Sequence, residues 1–124
     1  MQVFKNKAFS KWAAKEGLTD AAIQAAAEEM DQGLVDADLG GHVYKKRVAI
    51  GARGKSGGIR ALVACRVGDK AFFVYGFAKN VRANISEKEL RALKLYADIL
   101  LNYSKTELDT AVKCGELIEV MNNG

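Results

Sequence analysis

The sheet of this 124-residue protein is predicted by three segments: VYKKRVAI at residues 43–50, IRALVACRV at 59–67 and AFFVYGFA at 71–78. Each is rich in β-branched or aromatic residues, as strands are. The segment 51–58, which contains four glycines, and the Gly68-Asp69 pair separate them in the way that hairpin turns do. We therefore expect three consecutive antiparallel strands. The third has the highest aromatic density, which favours a central, well-buried position.

Helices are predicted before and after these strands in the chain, and we expect them to cover at least one face of the sheet. Hydrophobic spacing and caps predict a short strand at 2–4, helices near 6–16 and from Thr19 or Asp20 to about Gln32, and two C-terminal helices that begin at the capping boxes SEKE (86–89) and SKTE (104–107). The order βααβββαα predicts an α+β fold with an antiparallel sheet of about four strands, an N-terminal helical hairpin and C-terminal helices. The length predicts a single domain over residues 1–124.

Composition excludes several classes of protein. Hydrophobic residues make up 49% and charged residues 27% of the chain, which is typical of a globular domain. Two distant cysteines without a CxxC spacing and a single histidine do not form a zinc site or a disulfide framework. The sequence has no apolar run of about 18–20 residues and no signal peptide, so we expect a cytoplasmic protein that makes no membrane contact.

Positive charge is concentrated in the middle of the chain. Residues 42–82 carry ten lysines and arginines against the single acid Asp69, a net charge of +9, whereas the remaining residues sum to −5. A basic segment between acidic flanks predicts binding to a polyanion, with phosphate groups of nucleic acid as the obvious candidate. The alternative is that these cations are solvated strand faces.

The spacing of these cations predicts a phosphate site. Because side chains alternate along a strand, Lys45 and Arg47 share one face and Lys46 points to the other. Arg60 reaches the first face if the hairpin register allows, and Lys79 lies at the end of the third strand. Converging cations would stabilise the charge that develops on a phosphorane during RNA cleavage, and crowding would lower the pKa of a lysine enough for it to accept a proton. The predicted catalytic residues are Lys45, Arg47, Arg60 and Lys79, and the predicted RNA-binding residues are Lys46, Arg53, Lys55 and Arg82.

Weaker motifs are better explained by structure than by catalysis. AIGARGKS at residues 49–56 matches a relaxed phosphate-loop pattern, but a strand rather than a helix is predicted after it. Asp36 and Asp38 are expected to form turns rather than a metal site, and His42 is expected to be an ordinary residue at a strand start. We therefore predict no metal and no cofactor.

Aromatic residues on the third strand raise a further alternative. Phe73, Tyr75 and Phe77 are predicted to share one strand face, with Phe72 and Val74 on the other. Side chains of this kind can stack on bases, although they more often belong to a core.

Several motifs resemble a known toxin family. VYKKR (43–47), GGIRALV (57–63) and FVYGFAK (73–79) resemble the three-strand core of the RelE/HigB toxins of bacterial type II toxin–antitoxin systems. DADLGG (36–41), GKSGGIR (54–60) and FAKNVRANI (77–85) are similar to one RelE-like subfamily. The resemblance extends over nearly the whole chain.

The resemblance implies a metal-independent endoribonuclease that cleaves mRNA on the ribosome by attack of the 2′-hydroxyl. It implies roles for four residues: Lys45 as base or charge stabiliser, Arg47 as a second cation, Arg60 as the phosphate ligand and Lys79 as acid or stabiliser. The expected partners are mRNA, the ribosome and an antitoxin with a helix-turn-helix, encoded adjacently. Two alternatives stay open: a non-cleaving toxin of the ParE type that acts on DNA gyrase, and an inactive homologue that binds RNA or the antitoxin.

Overall fold

The computed structural model describes residues 1–50 and 58–121. In chain order the elements are β1 (Gln2–Asn6), α1 (Lys7–Glu16), α2 (Asp20–Asp31), β2 (Ala37–Asp38), β3 (Val43–Val48), β4 (Ile59–Arg66), β5 (Lys70–Ala78), α3 (Glu87–Leu101), α4 (Lys105–Lys113) and β6 (Leu117–Glu119). None of the helices in the described part of the chain combines the length and apolar character needed to cross a membrane.

Within residues 1–50 and 58–121 the sheet has six strands in the order β2-β3-β4-β5-β1-β6. All neighbouring pairs are antiparallel except β1 and β5, which run parallel. The predicted α+β class is confirmed, and the four predicted strands form the centre of the sheet. The two additional strands, β2 and β6, lie at the edges and have only two and three residues. Segments this short carry no periodic pattern that a sequence could reveal.

Both faces of the sheet are covered, and each has its own core. One core is formed with α1 and α2, and it includes Phe9, Ile23, Met30, Val63 and Phe73. The other is formed with α3 and α4, and it includes Phe4, Leu62, Phe72, Leu100 and Leu108. β4 is buried at every position except Arg66, because it is a central strand with helices on both sides.

The helix starts are fixed by the caps that the sequence predicts. Ser86 and Glu89 form a complete capping box at α3, and Ser104 and Glu107 form another at α4. Each serine accepts from the backbone N–H of its glutamate, and each glutamate accepts from the backbone N–H of its serine, so two helix-end donors are satisfied at each start.

A β-bulge in β5 overturns the predicted alternation of its aromatic side chains. Leu62 pairs with Tyr75 while Val63 pairs with Phe73, so Val74 is an extra residue. Phe73 therefore packs on the α1 side, 5.7 Å from the ring of Phe9. Tyr75 instead joins the α3 side together with Phe72, Val74 and Phe77. The prediction that Phe73 shares a face with Tyr75 and Phe77 is wrong, because it assumed an unbroken period of two.

Candidate functional site

The register of the β3–β4 hairpin brings three cations to one face of the sheet. Arg47 pairs with Arg60, and Lys45 pairs with Leu62. Directly paired side chains of an antiparallel ladder project from the same face with Cβ atoms about 5 Å apart. Leu62 belongs to the core beneath α3, so Lys45, Arg47 and Arg60 lie on the α3 side. We call these three residues the cation cluster.

Arg60 is the buried member of the cation cluster. It is only 6% exposed, and in the described part of the chain its Nη1 is buried without a hydrogen-bond partner. A buried charge is expensive unless it is paired and hydrogen-bonded, and buried polar groups nearly always have a partner. The side chain is therefore suited to an anionic ligand that supplies the missing acceptor.

Arg47 is positioned by Asp36, which precedes β2. Its Nε lies 3.1 Å from Asp36 Oδ1, and its backbone N–H also donates to the Asp36 carboxylate. About half of the side chain remains exposed. Asp38 accepts a 2.9 Å hydrogen bond from Gly40 N in the turn before β3, as expected of a turn residue, whereas the Asp36 carboxylate binds Arg47 in β3.

Lys45 and Lys79 are predicted catalytic residues without a carboxylate partner among the described residues. Lys45 is half-buried and Lys79 is exposed, and neither forms an ion pair with any residue that the structure describes. Lys79 follows the last residue of β5, where Phe77 pairs with Arg60. Lys79 thus lies at the strand end next to the cation cluster, rather than on the same pair of strands.

Lys46 is separated from the other cations by the sheet itself. It is 5% exposed on the α2 side, and its Nζ lies 2.9 Å from Glu29 Oε1. The period-two prediction that it points away from Lys45 and Arg47 agrees with this placement. Because its ammonium is buried against α2, Lys46 does not contribute to the cation cluster, and we leave it out of the RNA contacts proposed below.

Arg82 is held in a network that organises the start of α3. Its guanidinium binds both carboxylate oxygens of Glu89 at 2.8 and 3.1 Å, the Tyr75 hydroxyl at 3.1 Å and the Asn84 carbonyl at 2.8 Å. The hydrogen bond to Arg82, followed by those to Ser86, lowers the pKa of Glu89 to about 2, and the bond to Glu89 raises the pKa of Arg82. Arg82 therefore has a structural role that its sequence position did not indicate.

The remaining predicted RNA contacts, Arg53 and Lys55, belong to the segment 51–57 between β3 and β4. Arg53 and Lys55 lie outside the described residues, so their predicted RNA contacts stay predictions. The strand β4 follows this segment and pairs with β3, so the next element is a strand and not the helix that a phosphate loop requires. His42, which has a left-handed φ of 64°, directly precedes β3, and its carbonyl accepts from Cys65 N.

One feature was not predicted from the sequence: a cavity of about 290 Å³ beside β5. It is bounded by α1, by the second half of β5 and by the segment after Lys79, with Ala8, Trp12, Gly76, Val81 and Arg82 among its walls. The signal that could have indicated the cavity is Gly76, a residue without a side chain in the middle of an aromatic strand.

Comparison with known proteins identifies one similar family. Residues 1–120 match a family model described as the RelE toxin of the RelE/RelB toxin–antitoxin system. A comparison with curated proteins gave no match. The matched range includes every helix and strand described above.

Proposed function

This chain belongs to the RelE toxin family of type II toxin–antitoxin systems, and from that premise we propose that it is an mRNA endoribonuclease whose cation cluster binds the scissile phosphate. Membership implies a cognate RelB antitoxin. The observation that carries the proposal is Arg60, a cation 94% removed from solvent with a buried donor that has no partner among the described residues.

Arg60 and Arg47 are proposed to clamp the phosphate. Arginine offers a planar fork of donors that fits phosphate oxygens, and it stays charged at all physiological pH values. A phosphorane carries more negative charge than the phosphodiester from which it forms. A cation fixed in a site that excludes water therefore stabilises the transition state more than the substrate, which is the condition for accelerating the reaction.

Lys45 and Lys79 are proposed to move the protons. The 2′-oxygen forms a bond to phosphorus while the bond from phosphorus to the 5′-oxygen breaks, which leaves a 2′,3′-cyclic phosphate and a 5′-hydroxyl. Lys45, beside Arg47 on β3, takes the proton from the 2′-hydroxyl when its amine is neutral, and Lys79 in its ammonium form gives one to the departing 5′-oxygen. Neither lysine is engaged by a carboxylate within the described residues, which supports these roles.

The proposed partners are molecules that would bind the cation cluster. The mRNA is proposed to be presented in the ribosomal A site. The antitoxin is proposed to be encoded in the adjacent reading frame with a helix-turn-helix, and to place an acidic segment over the cation cluster. Charge complementarity of this kind directs binding and blocks a cationic site.

The test compares growth and RNA ends after brief expression of the wild-type chain, Arg60→Ala, Arg60→Met and Lys105→Ala. Lys105 is an exposed cation on α4 and serves as the charge-matched control. We expect growth arrest and codon-positioned RNA ends with the wild-type chain and Lys105→Ala, and neither with the Arg60 variants. Thermal melting establishes that each variant is folded.

Two results would contradict the proposal. Growth arrest by the wild-type chain without new RNA ends would indicate a toxin that acts on another target, such as DNA gyrase. New RNA ends that persist in a folded Arg60→Met protein would show that cleavage does not use the cation cluster.

A further inference from the structure

The side of α3 that is turned away from the sheet is exposed along the middle of the helix. Ala97 and Leu100 lie on the opposite side and are buried in the core between the helix and the sheet. Because a helix completes a turn in about 3.6 residues, the residues opposite this pair form one continuous surface. We call this surface the outer face of α3, and its members, which are all exposed, are Arg91, Ala92, Leu95, Asp98 and Ile99.

The outer face of α3 carries two large apolar side chains one turn apart. Leu95 is 70% exposed and Ile99 is 55% exposed. Together with Ala92 they follow a spacing of three and then four residues, which forms the narrow seam by which one helix packs along another. Covering this seam removes apolar area from water, which is favourable. The outer face is therefore suited to contact with a second helix.

Two charged residues flank this seam on one side. Arg91 and Asp98 are seven residues apart, close to two full turns, so both lie on the same side of Leu95. Along the helix axis Arg91 comes about 6 Å before Leu95 and Asp98 about 4.5 Å after it. Asp98 Oδ1 accepts from Asn102 Nδ2 at 3.0 Å, and neither Arg91 nor Asp98 forms an ion pair with a residue that the structure describes. Each charge can therefore be paired by a second molecule.

The seam and its charges are self-complementary when two copies of α3 run antiparallel. A two-fold axis beside Leu95 places the start of one helix along the end of the other. Arg91 of each copy then lies opposite Asp98 of the other, and Ala92 lies opposite Ile99. A parallel pair would instead place Arg91 at the level of Arg91, and an acidic peptide would be repelled by Asp98. The charges thus favour a second copy of this chain.

We propose that the outer face of α3 is a homodimer interface, in which two copies of this chain pack α3 against α3 antiparallel about a two-fold axis at Leu95. The inference goes beyond the proposed function and does not depend on it. Lys45, Arg47 and Arg60 project from the sheet on the inner side of α3, whereas the interface lies on the side of the helix away from the sheet. The cation cluster is therefore outside the interface.

The dimer should be weak, because the interface contains little more than one pair of helices. A helix of 15 residues is about 22 Å long. Its contact with a second helix is smaller than the roughly 1,600 Å² that stable protein complexes typically bury. We therefore expect a dissociation constant in the micromolar range, so that dimers form at high protein concentration.

Sedimentation velocity from about 1 to about 100 µM protein tests the interface with the wild-type chain, Leu95→Glu and Leu34→Glu. Leu34 lies between α2 and β2 and is 53% exposed, so it is the matched control for replacing an exposed leucine with an acid. We expect the wild-type chain and Leu34→Glu to change from monomer to dimer over this range, and Leu95→Glu to stay monomeric. Circular dichroism checks that each variant is folded.

Charge reversal tests the antiparallel arrangement separately. Arg91→Glu places two carboxylates opposite each other at both ends of the seam, and Asp98→Arg places two guanidinium groups there. Each single change should raise the dissociation constant about tenfold or more, since like charges in contact repel. The double variant, with Arg91→Glu and Asp98→Arg together, exchanges the two charges and should return the constant to within about threefold of the wild-type value.

Other results would overturn the inference. A wild-type chain that stays monomeric at about 100 µM has no such interface. Dimers that persist in Leu95→Glu, or that are lost equally in Leu34→Glu, use another surface, and a double reversal that does not restore the dimer rules out the antiparallel pairing. Loss of neutralisation by the coexpressed antitoxin in Leu95→Glu, with a monomeric wild-type chain, would assign the outer face to the antitoxin. Each of these results is distinct from failure of the proposed function, which is measured by growth and mapped RNA ends.

Discussion

Lys46 and Arg60 are both buried cations, on adjacent strands and opposite faces of the sheet. Lys46 is 5% exposed and Arg60 is 6% exposed. Lys46 lies 2.9 Å from the carboxylate of Glu29, whereas the Nη1 of Arg60 has no partner in the described chain. Since burial is equal, the difference lies in the counter-charge. The protein completes one site with its own side chain, and we propose that an anion from outside completes the other.

Substitution of the two buried cations by methionine should affect RNA cleavage very differently. Arg60→Met should reduce the cleavage rate by about 100-fold to 1,000-fold, as expected when a fixed donor to the transition state is lost. Lys46→Met should stay within about threefold of the wild-type rate, because Lys46 makes no contact with substrate in this account. The measurement is cleavage of a ribosome-bound mRNA by each purified protein. Equal losses in the two variants would remove the distinction between the sites.

Substitutions at the two sites should change the free energy of unfolding in opposite directions. Glu29→Gln leaves Lys46 without its carboxylate and should lower the free energy of unfolding by about 2 kcal/mol, less than for a fully buried pair because Glu29 is partly exposed. Arg60→Met removes a buried charge and should raise that free energy by about 1 kcal/mol in a buffer without multivalent anions. Urea unfolding measures both. A destabilised Arg60→Met protein would indicate that Arg60 has a structural partner after all.

Arg82 provides an intermediate case, a cation paired near the surface. The pKa of Glu89 is lowered to about 2 by Arg82, from an ordinary value of 4.5. The pair therefore stabilises the fold fully above pH 4.5 and loses its effect as the pH falls towards 2. Wild-type and Glu89→Gln proteins should differ most in unfolding free energy above pH 4.5 and should converge towards pH 2. If the difference in unfolding free energy stayed constant across this range, the stabilising effect of Glu89 would not depend on its charge.

Local features of the fold could be predicted from sequence because they depend on neighbouring residues. The capping boxes at Ser86 and Ser104 each need only four residues, and the opposite directions of Lys45 and Lys46 follow from the geometry of one strand. The bulge at Val74 could not be predicted in this way, because it depends on how β5 aligns with β4. The strands β2 and β6 are too short to have a pattern of their own.

The residue types of the site could be predicted from the sequence, but the residues that pair with them in the folded protein could not. Lys45, Arg47 and Arg60 share a face because Arg47 pairs with Arg60 and Lys45 pairs with Leu62, and this register of β3 against β4 does not follow from the sequence of either strand. The Lys46–Glu29 pair joins a strand to a helix that precedes it by more than ten residues, and no spacing rule indicates such a contact. The cavity beside β5 depends on where β1 ends, which is a property of the folded sheet.

The most direct test of the phosphate site is binding of a dinucleotide that cannot be cleaved because it lacks the 2′-hydroxyl. Calorimetry at one fixed salt concentration compares the wild-type chain, Lys46→Met and Arg60→Met. The account predicts equal affinity for the wild-type chain and Lys46→Met and a loss of about tenfold or more for Arg60→Met, since one charged hydrogen bond is worth at least that much. Equal binding by a folded Arg60→Met protein would contradict it.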